Sequence, residues 1–301
     1  MNIEQLNADY GIADQLQFSL GKGDFPIIKI NNAHAQAMIS VYGGQVLSYR
    51  PTSAPEDLMF MSEQAYYQTG KAIKGGTPIC WPWFGPDPEG LGRASHGFVR
   101  NRLWTVQSTS TTPNQETTVK LGLADTSETQ GIWPHSFDLS IEFTIGSTLK
   151  IELITHNTGK QPFSITQALH TYFQVGDIAP LRVKGLADAV YIDKVDGGVQ
   201  KQQSGEIAIA EEVDRIYLGV SPALVVEDPT LNRRIEITAS GSQTAVVWNP
   251  WVDNSAKMAD LEDDDYQKFV CVETANAANE VIEMQPGTAY SLSADYRIVQ
   301  L

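Results

Sequence analysis

Three side chains capable of proton transfer stand in unusual company. His96 follows a glycine-rich approach in GLGRASHGF, His170 lies in ALHTYFQVGD beside Tyr172 and Phe173, and Glu273 closes the apolar run Phe269-Val270-Cys271-Val272. An imidazole among aromatic neighbours is either a hydrogen-bonded core residue or a general acid working near neutral pH. A carboxylate ending a strand that is apolar on both faces costs free energy unless it is hydrogen-bonded or paired. Burial would also raise its pKa and make it a better base. The other reading is that the strand stops at Val272 and Glu273 points into water. His34, His135 and His156 have no evident partners in the sequence.

Charge is distributed unevenly. The chain has 36 Asp and Glu against 21 Lys and Arg, a formal net charge of -15. That balance argues against a nucleic-acid or anionic-membrane partner, which needs a basic face. Residues 71–104 run the other way, with Lys71, Lys74, Arg93, Arg100 and Arg102 against only Asp87 and Glu89. The Gly75-Gly76 pair after Lys74 does not make a nucleotide P-loop, which requires GxxxxGK[ST] between strand and helix. An anion bound here would have to be met by Lys and Arg side chains, Arg being able to grip phosphate bidentately. Solvated or surface-paired cations are the simpler alternative. Aromatic residues crowd the same stretches, and four of six tryptophans lie in WPWF and WNPW. Core packing explains such rings, and so does stacking on the apolar face of a sugar.

The elements that must position these groups are strands. Phe137, Leu139, Ile141, Phe143 and Ile145 alternate with Asp138, Ser140, Glu142 and Thr144, the period of a half-buried strand. Similar runs occur in FPIIKI, AMISVYG, VKLGLA, LKIELITHN, ALVVED, RIEITAS, TAVVWNP, KFVCVE and YSLSADYRIVQL, separated by turn-rich NTGKQP, VDGG and QPGTA. A short helix is expected at 61–68. Many short strands indicate an all-β sandwich or barrel, here a single domain over 1–301. Irregular polar and aromatic stretches at 71–104, 166–177 and 248–266 are where a rigid β scaffold would carry function. Cys80 and Cys271 sit in apolar runs and are expected as buried free thiols. No apolar run reaches the length of a membrane span, and MNIEQLNADYGIADQ lacks the basic and apolar regions of a secretory signal, so a cytoplasmic location is expected.

Taken together, KGGTPICWPWFGP, SHGFVRNRLW, ALHTYFQVGD, EEVDRIY, VVWNPW and FVCVETAN, in this order, resemble the aldose 1-epimerase superfamily. They look most like its hexose-phosphate branch, and VYGGQVLSY fits the early strand pair, with Gln45 among the residues placed at the substrate. The resemblance implies a large β-sandwich of the galactose-mutarotase type with an open cleft on one sheet. It implies interconversion of the anomers of a sugar phosphate, without cofactor or metal, by a protein expected as a monomer. His170 matches the general acid, Glu273 the general base, His96 a second histidine that places the sugar, and Asp214 an acid that hydrogen-bonds its hydroxyls. Lys74 and Arg100 match the phosphate-binding pair, with Arg93 as an auxiliary contact. The family often has Arg where Lys74 stands, so the charge is kept and the fork is lost. A mutarotase of free aldoses, a non-catalytic sugar-phosphate binder, and a glycoside hydrolase using Asp214 and Glu273 remain as alternatives.

Overall fold

In the computed structural model, which describes residues 2–301, the period-two segments form two eight-stranded antiparallel sheets. The back sheet runs in space through Arg182–Lys184, Ala223–Asp228, Arg233–Ser240, Ala289–Gln300, Leu149–Asn157, Phe137–Ile145, Thr117–Ala124 and Thr105–Thr111. The site sheet runs through Val199–Gln202, Val190–Asp193, Val213–Leu218, Thr244–Asn249, Phe269–Asn276, Gln167–Leu169 and Ile79–Cys80, and Tyr172–Gln174 also pairs with Phe269–Asn276. A four-stranded antiparallel sheet, Leu16–Leu20 to Gln45–Pro51, flanks them.

The sheets bury their facing sides against each other, as two amphipathic sheets must. Leu153, Ile237 and Leu292 of the back sheet belong to one buried cluster with Val247, Val270 and Val272 of the site sheet. Two hydrogen bonds cross this core: Trp81 Nε1 donates to Thr155 Oγ1 at 3.0 Å, and the hydroxyls of Thr171 and Tyr296 lie 2.8 Å apart.

The strand Phe269–Asn276 decides the question left open for Glu273. All eight of its residues are buried. Val270 and Val272 face the back sheet, whereas Cys271 and Ala275 pack in separate clusters on the opposite side. Glu273 is in phase with Cys271 and Ala275, so it stands on the outer face in mid-strand. The strand does not end at Val272.

One expectation needs correction. Residues 61–68 form no helix: Ser62 N bonds Lys74 O at 3.3 Å, and Ala65 N closes a single turn onto Ser62 O at 3.2 Å. That segment is spent on bracing the Lys74 turn. Most of the aromatic residues pack the core, with Trp81, Trp104 and Phe173 fully buried. Both cysteines are free and buried, and among the described residues no helix is long and apolar enough to cross a membrane.

One backbone crossing controls the His96 loop. Phe98 N bonds Trp81 O at 3.1 Å, and Gly97, at φ 70°, would put a Cβ 1.8 Å from that same carbonyl oxygen. Only glycine fits. Gly97→Ala is expected to lower the free energy of urea unfolding by roughly 2–4 kcal/mol, with the strain relieved only by moving the loop. An unchanged unfolding midpoint would show that the crossing tolerates a side chain.

Candidate active site

A cleft of about 660 Å³ opens on the outer face of the site sheet. His96, His170, Glu273, Asp214, Lys74 and Arg100 all line it, together with Phe84, Tyr172 and Trp248. These residues come from distant parts of the chain, brought together by the pairing of the strands.

His170 occupies the break between Gln167–Leu169 and Tyr172–Gln174. Its amide donates to Pro78 O at 3.0 Å, and Thr171 N closes a tight turn onto Leu169 O at 2.9 Å. Tyr172 stacks on the imidazole at 4.9 Å and 13°, and Trp248 meets it edge-on at 6.0 Å. Nε2 of His170 lies 3.5 Å from Oε1 of Glu273. The other polar atom of each, His170 Nδ1 and Glu273 Oε2, is buried without a hydrogen-bond partner among the described residues.

Burial pushes Glu273 well above the usual carboxylate range, and neighbouring Asp214 pushes in the same direction. Burial pushes His170 well below its usual value, reinforced by the positive charges of Arg100 and Lys74. Both directions disfavour the charged forms. Burial therefore favours a neutral carboxyl beside a neutral imidazole over the ion pair.

His96 is held in left-handed backbone, φ 64°, by a reciprocal contact with Gly85: its amide donates to Gly85 O at 2.7 Å, and Gly85 N donates to its Nδ1 at 3.3 Å. Acceptance at Nδ1 assigns the ring proton of the neutral imidazole to Nε2. Burial, then Arg100 and Lys74, lower its pKa to about 3, so it is a neutral hydrogen-bonding group at physiological pH. Asp214 stands on Val213–Leu218 opposite Trp248. Burial raises it to about 6, opposed by Lys194 across the cleft wall.

The cations sit at one corner. Lys74 precedes a double-glycine turn in which Gly76, at φ 63°, would place a Cβ 2.0 Å from Val46 O. Its ammonium is 3.3 Å from Asp260. Arg100 donates to Ser95 O at 3.0 Å and makes no ion pair among the described residues, leaving the rest of its fork to the cleft.

Two expected residues do not line the cleft. Arg93 is consumed locally: Nε donates to Asp87 Oδ1 at 2.9 Å, Nη1 to Ile132 O at 3.2 Å, and the guanidinium covers Trp83 at 4.4 Å. Gln45 is fully buried beneath the Lys74 turn, donating to Gly75 O at 2.9 Å. It supports the turn from behind. Arg102 likewise pairs with Glu128, through two contacts of 3.0 Å. Conversely, Lys194, Met258 and Asp260 reach the site or its cation without having been singled out. Asp260 lies in the irregular 248–266 stretch, which was the available signal; Lys194 sits in an ordinary turn and gave none.

The geometry can be set beside known proteins. Residues 26–297 match the family model described as aldose 1-epimerase. A protein of Salmonella typhimurium named "Putative glucose-6-phosphate 1-epimerase" is 37% identical over 266 residues, covering 87% of this chain and 88% of the relative. The crystal structure of a Salmonella typhimurium protein described as a "putative mutarotase (YeaD)" superposes with a TM-score of 0.90 at 32% identity, covering 99% of both chains. A galactose mutarotase-like protein of Clostridium acetobutylicum shares the fold, with a TM-score of 0.75 at 16% identity over 95% of this chain and 98% of that one. The chain belongs to the aldose 1-epimerase family.

Proposed function

We propose that this enzyme interconverts the α and β anomers of a hexose 6-phosphate, with glucose 6-phosphate as the best substrate. The observation that carries this reading is the shared cleft. A carboxyl–imidazole pair at its floor and two cations at one corner suit a sugar that carries both a reacting anomeric centre and a phosphate. The relatives' names point to the same substrate.

Ring opening requires loss of the proton on the C1 hydroxyl and gain of one at the ring oxygen. Glu273 as carboxylate takes the first, and His170 as imidazolium supplies the second. Rotation about C1–C2 then presents the other face of the aldehyde, and the two groups exchange roles on closure. Asp214 and the neutral His96 hydrogen-bond the sugar hydroxyls and hold the ring in place.

Binding itself prepares the pair. The field of Lys74 and Arg100 helps to keep His170 neutral. A phosphate dianion seated on those cations cancels that field, which favours moving the proton from Glu273 to the imidazole. The phosphate thus contributes to turnover as well as to affinity, which favours a phosphorylated hexose over a free aldose.

His170→Asn and Glu273→Gln are each expected to lower the enzyme-dependent rate of anomer exchange on glucose 6-phosphate by about 10²–10⁴-fold, read by NMR magnetisation exchange. Rates equal to the unaltered enzyme would remove the proposed acid and base. A second expectation concerns pH. With ¹³C-labelled histidine, the His170 imidazole, identified by its loss in His170→Asn, should stay neutral in the free enzyme to well below the usual pKa of 6.5. Adding glucose 6-phosphate should move it toward the imidazolium. An imidazolium at pH 7 before any ligand is added would contradict this proton placement.

A further inference from the structure

Tyr172 belongs to the wall of two cavities at once. Only 4% exposed, it borders the main cleft and also a second chamber of about 240 Å³, whose walls include Lys71, Lys74, Arg100 and Asp260. Its backbone is fixed on both sides: Tyr172 N donates to Gly76 O at 2.9 Å, Phe60 N donates to Tyr172 O at 3.0 Å, and the residue pairs with Cys271. The first of these bonds ties it to the double-glycine turn that carries Lys74. Its hydroxyl makes no hydrogen bond among the described residues and is not one of the polar atoms sealed from solvent, so it keeps access to the cavities that the residue borders.

We propose that the Tyr172 hydroxyl is a third phosphate ligand, donating to an oxygen of the substrate's phosphomonoester at the corner formed by Lys74 and Arg100. Charge supports this arrangement. Asp260 holds the Lys74 ammonium at 3.3 Å, so one cation of the corner is already partly compensated. A neutral donor adds a bond to the dianion without adding to the positive field that depresses His170. Burial raises the Tyr172 pKa well above 10, so the proton it would donate stays in place through the physiological range. Phenylalanine at this position keeps the ring stacked on His170 and removes only the donor. The assignment rests on the hexose-phosphate reading of the cleft.

The test is Tyr172→Phe, compared with the unaltered enzyme by calorimetric titration with inorganic phosphate and by anomer exchange on glucose 6-phosphate and on glucose. The expected result is phosphate affinity weakened by roughly ten-fold, as for loss of a hydrogen bond to a charged group, with a matching rise in KM for glucose 6-phosphate. The loss should fall on KM more than on kcat, and exchange on glucose should fall by less than exchange on glucose 6-phosphate, because the stacked ring and the acid–base pair remain. Equal phosphate affinity in the two proteins would overturn the assignment. So would an unaltered enzyme that binds no phosphate, or a fall in kcat at constant KM, which would place the hydroxyl's effect on His170 instead. Weakened phosphate binding in a protein with no anomer exchange would sustain Tyr172 as a ligand while removing the epimerase reading.

Discussion

The structure turns on a carboxylate placed in the middle of a strand that is covered on both faces. Glu273 is 2% exposed, and its nearest basic partner is an imidazole 3.5 Å away that is itself buried. Neither group repays its desolvation with a full set of hydrogen bonds, since one polar atom of each has no partner among the described residues. Such an arrangement persists only where the surrounding fold over-determines it. Here the determinants are the register of Thr244–Asn249 and Phe269–Asn276, the tight turn at His170 anchored to Pro78, and the rings of Tyr172 and Trp248 around the imidazole. On the proposed mechanism, the same unpaired atoms are those that exchange protons with a polar substrate.

A second constraint follows from the first. A buried carboxyl–imidazole pair is sensitive to nearby charge, and the chain places its cations close enough to matter. Burial, and after it Lys74 and Arg100, depress both His170 and His96, so the side chains proposed to meet the phosphate also bias which histidine forms exist. The overall charge of -15 makes this corner distinctive. Most of the other basic groups of the 71–104 stretch are neutralised locally, Arg93 by Asp87 and Arg102 by Glu128. What is left facing the cleft is Lys74, partly shared with Asp260, and the outward edge of Arg100.

Much of the fold is legible in the sequence because its signal is local. Alternation in Phe137–Ile145 and Leu149–Asn157 reports a sheet with one buried face, and the structure pairs these strands residue by residue. Glu273 is only half legible: its apolar company marks burial, but the side on which it emerges depends on which neighbours cover each face. Arg93 and Arg100 are the same residue type seven positions apart, and apart from the family resemblance nothing in their local sequence separates them. Asp87 decides the matter by folding back onto Arg93, a contact set by the conformation of the 85–98 loop. Gln45 shows the same limit. It is close to the site in space, yet its amide faces the back of the Lys74 turn, and its carbonyl oxygen is among the buried atoms without a partner. The expected helix at 61–68 fails because a tertiary contact with Lys74 outweighs local propensity.

The central claim is that an acid–base pair and a phosphate corner act on one substrate. The most direct measurement is the enzyme-dependent rate of anomer exchange for glucose 6-phosphate and glucose at equal, sub-saturating concentration, by two-dimensional NMR exchange on the unaltered protein. The account predicts faster exchange on the phosphorylated sugar by about 10²-fold or more, the contribution expected of a desolvated charge-assisted contact. Equal rates on the two sugars would contradict it, and would assign the cations at the corner to the fold and not to the substrate.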